Sequence, residues 1–183
     1  MFAHQSNVDI SNRIINFETS RLGEQQKIIG TLIILDNVLN RVMQNSGSGC
    51  RIWVFFDELH LLLKTPYTAN FLSKLWVRIR KNGGMCVGSI QSLAQCRNDT
   101  SETMINNSAF VVMLAQSKDD MYELTEKYNL SAMQQRYLDN SVAGQGLLKV
   151  GNDIIPFIDQ FPRDTALYRL MTTKPRELVG GVF

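Results

Sequence analysis

The stretch Arg51–His60, RIWVFFDELH, decides how the rest of the chain is read. Its first part, RIWVFF, is β-branched and aromatic with no polar alternation, which predicts a strand buried on both faces of a sheet. Asp57 and Glu58 end that run abruptly. A carboxylate pair at the carboxyl end of a buried strand stands where open α/β sheets place their ligands. Phosphoryl-transfer enzymes of the P-loop class use this layout. The strand-terminal Asp holds magnesium, and the next Glu can orient and polarise the attacking water. Asp57 and Glu58 fit those roles in order. The plainer reading is that acids commonly follow strands, and these residues alone leave both readings open.

Working outward, strands and helices alternate. Leu22 to about Asn45 is predicted helical. Ile28, Leu32, Leu35, Leu39 and Val42 form one apolar stripe, and Ile29, Ile33 and Met43 widen it, so burial on more than one side is expected. Asn45–Gly49 is a loop by composition. Pro66 suits the first turn of a helix running to Lys81. Asn82-Gly83-Gly84 stops that helix. Met85–Ile90 and Ser108–Leu114 read as two further buried strands, and Arg13–Phe17 as a short one. Asp119–Tyr128 and Ser131–Asp139 read as helices, with Ser131 a natural cap. Leu147–Val150 and Ile154–Ile158 flank Gly151-Asn152-Asp153, the signature of a hairpin. The expected fold is α/β: a mostly parallel sheet flanked by helices, with a carboxyl-terminal β-hairpin.

Composition narrows the setting. At 183 residues the chain is one domain or a large piece of one. Its apolar runs are far shorter than the ~18–20 residues of a membrane span. The amino end has no cationic start followed by an apolar stretch, so it is not a secretory signal. With 19 Lys+Arg against 17 Asp+Glu, net charge gives no whole-surface attraction to nucleic acid, and a DNA contact would need a local patch. The 3 cysteines, Cys50, Cys86 and Cys96, form no C-x-x-C and fit a reducing cytoplasm.

Two further features bear on phosphoryl transfer. Gln91 directly follows the strand MCVGSI, where a neutral amide can sense a γ-phosphate or position water. Paired with Asp57 and Glu58 on a second buried strand, it is far more telling than alone. The helix end KLWVRIRK, Lys74–Lys81, gathers Lys74, Arg78, Arg80 and Lys81, which could reach a phosphate on a neighbouring subunit. Cations there also complement the helix dipole with no ligand at all. His4 and His60 have no Cys or His at ligand spacing, and Met85, Met104, Met113 and Met121 read as core filling. No G-x-S-x-G elbow occurs. Nor does any G-x-x-x-x-G-K-[ST], the backbone cradle for a triphosphate.

The series QSNVDISNRIINFE, WVFFDELHLLL, WVRIRKNGGMCVGSIQSL, INNSAFVVMLAQSKDD and GQGLLKVGNDIIPFIDQFPRDTALYRLMTTKP, in this order and spacing, resembles the carboxyl-terminal half of the VirB/TraC-type ATPases of type IV secretion and bacterial conjugation. The resemblance runs from about Gln5 to Leu178. It implies a RecA-like P-loop ATPase domain, peripheral at the cytoplasmic face of the inner membrane, that couples ATP hydrolysis with magnesium to pilus assembly or substrate transfer. It implies self-association as dimers or hexamers and contact with other secretion-channel subunits. By the resemblance, Asp57 and Glu58 match the family's second nucleotide motif, Gln91 its strand-terminal glutamine, and Arg80 and Lys81 its Arg-Lys pair before Gly-Gly. Asp57 is then the magnesium ligand, Glu58, Gln91 and Arg80 are catalytic, and Arg80 or Arg78 acts in trans. Where the family usually has Thr-Gln, this chain has Ile90-Gln91. The family's first nucleotide motif, with the P-loop strand, is expected upstream of Met1. The whole of 1–183 is then the carboxyl-terminal part of one RecA-like domain. Two alternatives stand beside this: a docking or assembly module of the same fold that hydrolyses nothing, and a DNA-pumping ATPase of the coupling type.

Overall fold

The computed structural model describes residues 12–19 and 21–172, which fall into two compact units. The first runs to Gln91 and adds Cys96–Met104; the second comprises Ser92–Gln95 and the residues from Ile105 onward.

In the first unit, α1 (Glu24–Gln44) leads through the loop of Asn45–Gly49 into β1 (Ile52–Phe56). A short α2 (Leu59–Leu62) and then α3 (Pro66–Arg78) cross over to β2 (Gly84–Gly88). Proline at the first helical position and Thr65 as cap, whose hydroxyl accepts from the Thr68 amide at 3.3 Å, start α3 where the sequence predicts. The helix tightens into a 3-10 turn over Ile79–Asn82 and stops at Gly83, whose φ of 75° lies in the left-handed region that glycine enters without penalty. β1 and β2 then pair in parallel, Ile52 opposite Gly84 through Phe56 opposite Gly88. Leu35 and Val42 of α1, Phe56 of β1, Leu59, and Leu72, Leu75 and Ile79 of the crossover form the core, with Cys96 and Met104, the latter from α4 (Asp99–Asn106).

In the second unit, β3 (Phe110–Met113) is followed by α5 (Lys118–Tyr128) and α6 (Ala132–Asp139). The chain returns as the hairpin β4 (Gln145–Val150) and β5 (Asp153–Ile158), then α7 (Ala166–Met171). Ser131 and Gln134 cap α6 reciprocally, each side chain accepting from the other's amide, at 3.3 and 2.9 Å. The sheet order is β3-β4-β5, and Pro156 is accommodated because β5 is an edge strand. Met113, Leu124, Leu130, Leu138 and Leu147 make this core.

Four expectations are corrected. The strands do not form one mostly parallel sheet. β1–β2 is the parallel pair, and β3-β4-β5 is a separate antiparallel sheet. The chain returns parallel to β1 through α2 and α3, and antiparallel to β3 through α5 and α6. Arg13–Phe17 is no strand; Ile14 is 87% exposed, and an extended segment becomes a strand only by pairing. β1 is not buried on both faces, for Trp53 and Phe55 are 56% and 71% exposed and stack on each other along one face. Finally, α1 is buried along one stripe, with Leu35 and Val42 inside and Ile29, Ile33 and Met43 outside. Among the described residues, no helix is long and apolar enough to cross a membrane.

Candidate functional site

Parallel pairing in register brings the carboxyl ends of β1 and β2 side by side, so residues distant in sequence become neighbours. The ladder continues past both strands. The Ser89 amide donates to the Phe56 carbonyl at 3.0 Å, and the Leu59 amide donates to the Ser89 carbonyl at 2.9 Å. Between these two bonds the chain must turn within Asp57-Glu58. Glu58 does so at φ 51°, ψ 47°, a left-handed conformation costing a non-glycine residue roughly 1–2 kcal/mol. Strain of this kind persists where the surroundings hold it, and such residues cluster at functional sites.

Five side chains meet there. The Ser89 hydroxyl donates to Asp57 Oδ1 at 2.8 Å, and the Glu58 amide donates to the same oxygen at 3.1 Å. Gln91 Nε2 donates to Glu58 Oε1 at 2.5 Å. His60 Nδ1 stands 3.3 Å from Glu58 Oε2, buried and without a hydrogen-bonding partner among the described residues. Glu58 thus has an amide on one carboxylate oxygen and an imidazole on the other, whereas Asp57 has one oxygen engaged and is exposed.

The expected Asp57, Glu58 and Gln91 are therefore brought together by the fold. Ser89 and His60 were missed. Ser89 follows the strand Gly84–Gly88 just as Asp57 follows Ile52–Phe56, and strand alignment by carboxyl ends would have found it. His60 gave only the absence of metal-ligand spacing. Arg80 and Lys81 are not brought here. They precede β2 and lie at the other end of the pair, and five residues of strand span about 16 Å.

A magnesium ion is compatible with this geometry. It is bound through one or two carboxylates with the remaining positions left to water and phosphate, not by a dedicated protein cage. Asp57 offers a carboxylate oxygen beside a serine hydroxyl, and among the described residues no three His, Cys, Asp or Glu cluster as a cage would require.

Known proteins share this fold. The profile of the type IV secretion-system coupling protein DNA-binding domain matches residues 15–142. Among solved structures, VirB4 of Thermoanaerobacter pseudethanolicus is similar at 25% identity and a TM-score of 0.63, over 74% of this chain and 37% of that one. The bacterial conjugative coupling protein TrwB is similar at 17% identity and a TM-score of 0.54, over 70% of this chain and 36% of that one, a likeness of fold alone. No curated protein matches. The chain thus spans little more than a third of the length of either structural relative.

Proposed function

The chain belongs to the family of the type IV secretion-system coupling protein DNA-binding domain, and on that premise we propose that it supplies the magnesium-holding and water-orienting half of the ATP site of a conjugation or secretion motor. The observation that carries the proposal is the meeting of Asp57, Glu58, Ser89 and Gln91 at the carboxyl ends of two adjacent parallel strands. In this reading the domain is RecA-like, and a P-loop strand outside these 183 residues completes it, since no G-x-x-x-x-G-K-[ST] lies within them. The motor would work in the cytoplasm, peripheral to the inner membrane, as a self-associated dimer or ring beside other channel subunits.

Asp57 would hold magnesium, which when bound neutralises charge developing on the phosphoryl oxygens. Ser89 fixes the Asp57 carboxylate by donating its hydroxyl to Oδ1, and the carboxylate would hold the ion. Glu58 would take the proton of the attacking water at its carboxylate. Gln91 holds that carboxylate through its side-chain amide, with the His60 imidazole beside it. Arg80 stands outside this group, so a part for it in hydrolysis requires a second subunit's site.

The test uses the longer protein that joins this chain to a phosphate-binding loop. Glu58→Gln keeps the shape and removes the base, so turnover should fall by ~100- to 10,000-fold with ATP affinity nearly intact. Asp57→Asn should instead weaken magnesium-dependent binding. Normal turnover in Glu58→Gln would end the assignment and favour the docking module that hydrolyses nothing.

A further inference from the structure

Residues two apart do not face each other along a helix, yet the His60 side chain stands against that of Glu58. The contact forms across the tight turn that Glu58 makes at φ 51°, ψ 47°, just before α2. Both ends of that turn are anchored. Phe56 and Leu59 are buried in the core, and the Leu59 amide is bonded to the Ser89 carbonyl. The His60 side chain is only 12% exposed, and its Nδ1 lies 3.3 Å from Glu58 Oε2. Of the two ring nitrogens, Nδ1 is the one buried without a hydrogen-bonding partner among the described residues.

A buried polar nitrogen without a partner calls for a reason, and the facing carboxylate gives one. Without a proton, Nδ1 would turn a lone pair toward a carboxylate oxygen. With a proton it is a donor facing an acceptor. A separation of 3.3 Å lies just past the usual N–H···O range, and catalytic hydrogen bonds commonly tighten only when substrate binds.

We propose that His60 is a positioning residue for Glu58. Its imidazole carries a proton on Nδ1 and donates a hydrogen bond to Glu58 Oε2, while the Gln91 amide holds Oε1. Held at both oxygens, the carboxylate presents its remaining lone pairs in one direction, toward the water whose proton it takes. The inference rests on the hydrolytic role proposed for Glu58. His60 acts through that carboxylate and touches no reacting atom.

The first measurement uses this chain and no nucleotide. At about pH 8, well above the usual histidine value of ~6.5, the ring is neutral and a single nitrogen carries the proton. Nitrogen-15 NMR of the 2 imidazoles, with the His60 signals identified by their loss in His60→Asn, should show Nδ1 of His60 protonated. In Glu58→Gly the proton should move to Nε2, the form that a free histidine side chain prefers. An unprotonated Nδ1 in the wild type overturns the proposal, as does a proton that stays on Nδ1 in Glu58→Gly.

The second measurement uses the longer protein that joins this chain to a phosphate-binding loop. His60→Ala should lower kcat by ~10- to 100-fold and change KM for Mg-ATP by less than ~2-fold, because a misplaced base slows the chemical step and leaves binding alone. Asn and Gln separate the two ring positions. The amide nitrogen of Asn stands as many bonds from the backbone as Nδ1, and that of Gln as many as Nε2. His60→Asn should therefore recover kcat to within ~3-fold of the wild type, and His60→Gln should not. Normal kcat in His60→Ala, or no better recovery by Asn than by Gln, overturns the proposal. Normal turnover in Glu58→Gln, by contrast, fails the hydrolytic reading itself, and the nitrogen spectrum of this chain still decides the bond.

Discussion

Gln91 and Glu58, 33 residues apart in sequence, are joined side chain to side chain at 2.5 Å. The bond ties the loop after β2 to the turn after β1, and it holds the carboxylate oxygen that would otherwise meet water. Its basis is the parallel register of β1 and β2, which places both turns at one edge.

The backbone at Glu58 supplies a prediction that requires no nucleotide. Its φ of 51° suits glycine and strains glutamate. The Glu58 carboxylate is partly solvent-exposed, so loss of its bond to Gln91 and of its proximity to His60 costs little. Glu58→Gly should leave the chain as stable as the wild type or up to about 1 kcal/mol more stable in urea unfolding. A loss above about 1 kcal/mol would mean that the side chain, and not a functional demand on the turn, holds Glu58 there.

Without a phosphate cradle opposite Asp57 and Glu58, this chain should bind Mg-ATP only weakly and hydrolyse none. Calorimetry decides the point. Micromolar affinity for Mg-ATP would mean that some loop of the chain supplies a cradle, Asn45–Gly49 being the first to substitute.

In the second unit, Asp120 is buried and accepts from the Ser92 hydroxyl, the Leu93 amide and the Ser117 hydroxyl, each at 2.8 Å. Burial alone would raise its pKa. The hydrogen bonds from Ser117, Ser92 and the amides of Leu93 and Ala94 outweigh it, and the net shift is downward from 3.8. A carboxyl depressed in the folded state adds stability above its unfolded value and loses it as the pH falls through the folded value. Unfolding free energy should therefore decline below about pH 4 by this route. Asp120→Asn should flatten that part of the profile. Asp120→Ala, which strands several donors, should cost about 3 kcal/mol at pH 7. An unaltered acid limb in Asp120→Asn would remove Asp120 from the acid response.

Much of this was legible in the sequence because local chemistry dictates it. Thr65-Pro66, Ser131 with Gln134, Gly83, and the Gly151-Asn152-Asp153 turn each specify a start, a stop or a reversal. Asp57, Glu58 and Gln91 were legible because parallel strands joined by a helix align their carboxyl ends. Pairing partners were not, since RIINF carries strand propensity without a neighbour, and β3 finds its partner only after two helices. Ser89 and His60 escaped because their roles arise from a register and a tight turn, not from spacing along the chain.

The strongest mismatch between sequence and structure is the apolar character of sheet faces that lie open, and it gives the last prediction. Val112 of β3 pairs with Leu148 of β4, which pairs with Ile155 of β5, so the three share one face of the antiparallel sheet. Val112 and Ile155 are exposed there, as is Phe110. On the opposite face, Met113 and Leu147 are buried in the core. The face is apolar without contributing to the packing of its own unit, so a charge there should be tolerated. Val112→Lys and Ile155→Glu should each alter stability by no more than about 0.5 kcal/mol, the range of an ordinary surface change. Leu147→Lys, by contrast, buries an unpaired charge and should prevent folding. The open face should also bind an apolar dye such as anilinonaphthalene sulfonate, and Val112→Lys/Ile155→Glu should remove most of that signal while the far-ultraviolet circular dichroism stays unchanged. If either substitution at Val112 or Ile155 unfolds the chain, the face is internal to the fold, and the exposed placement of these strands is wrong.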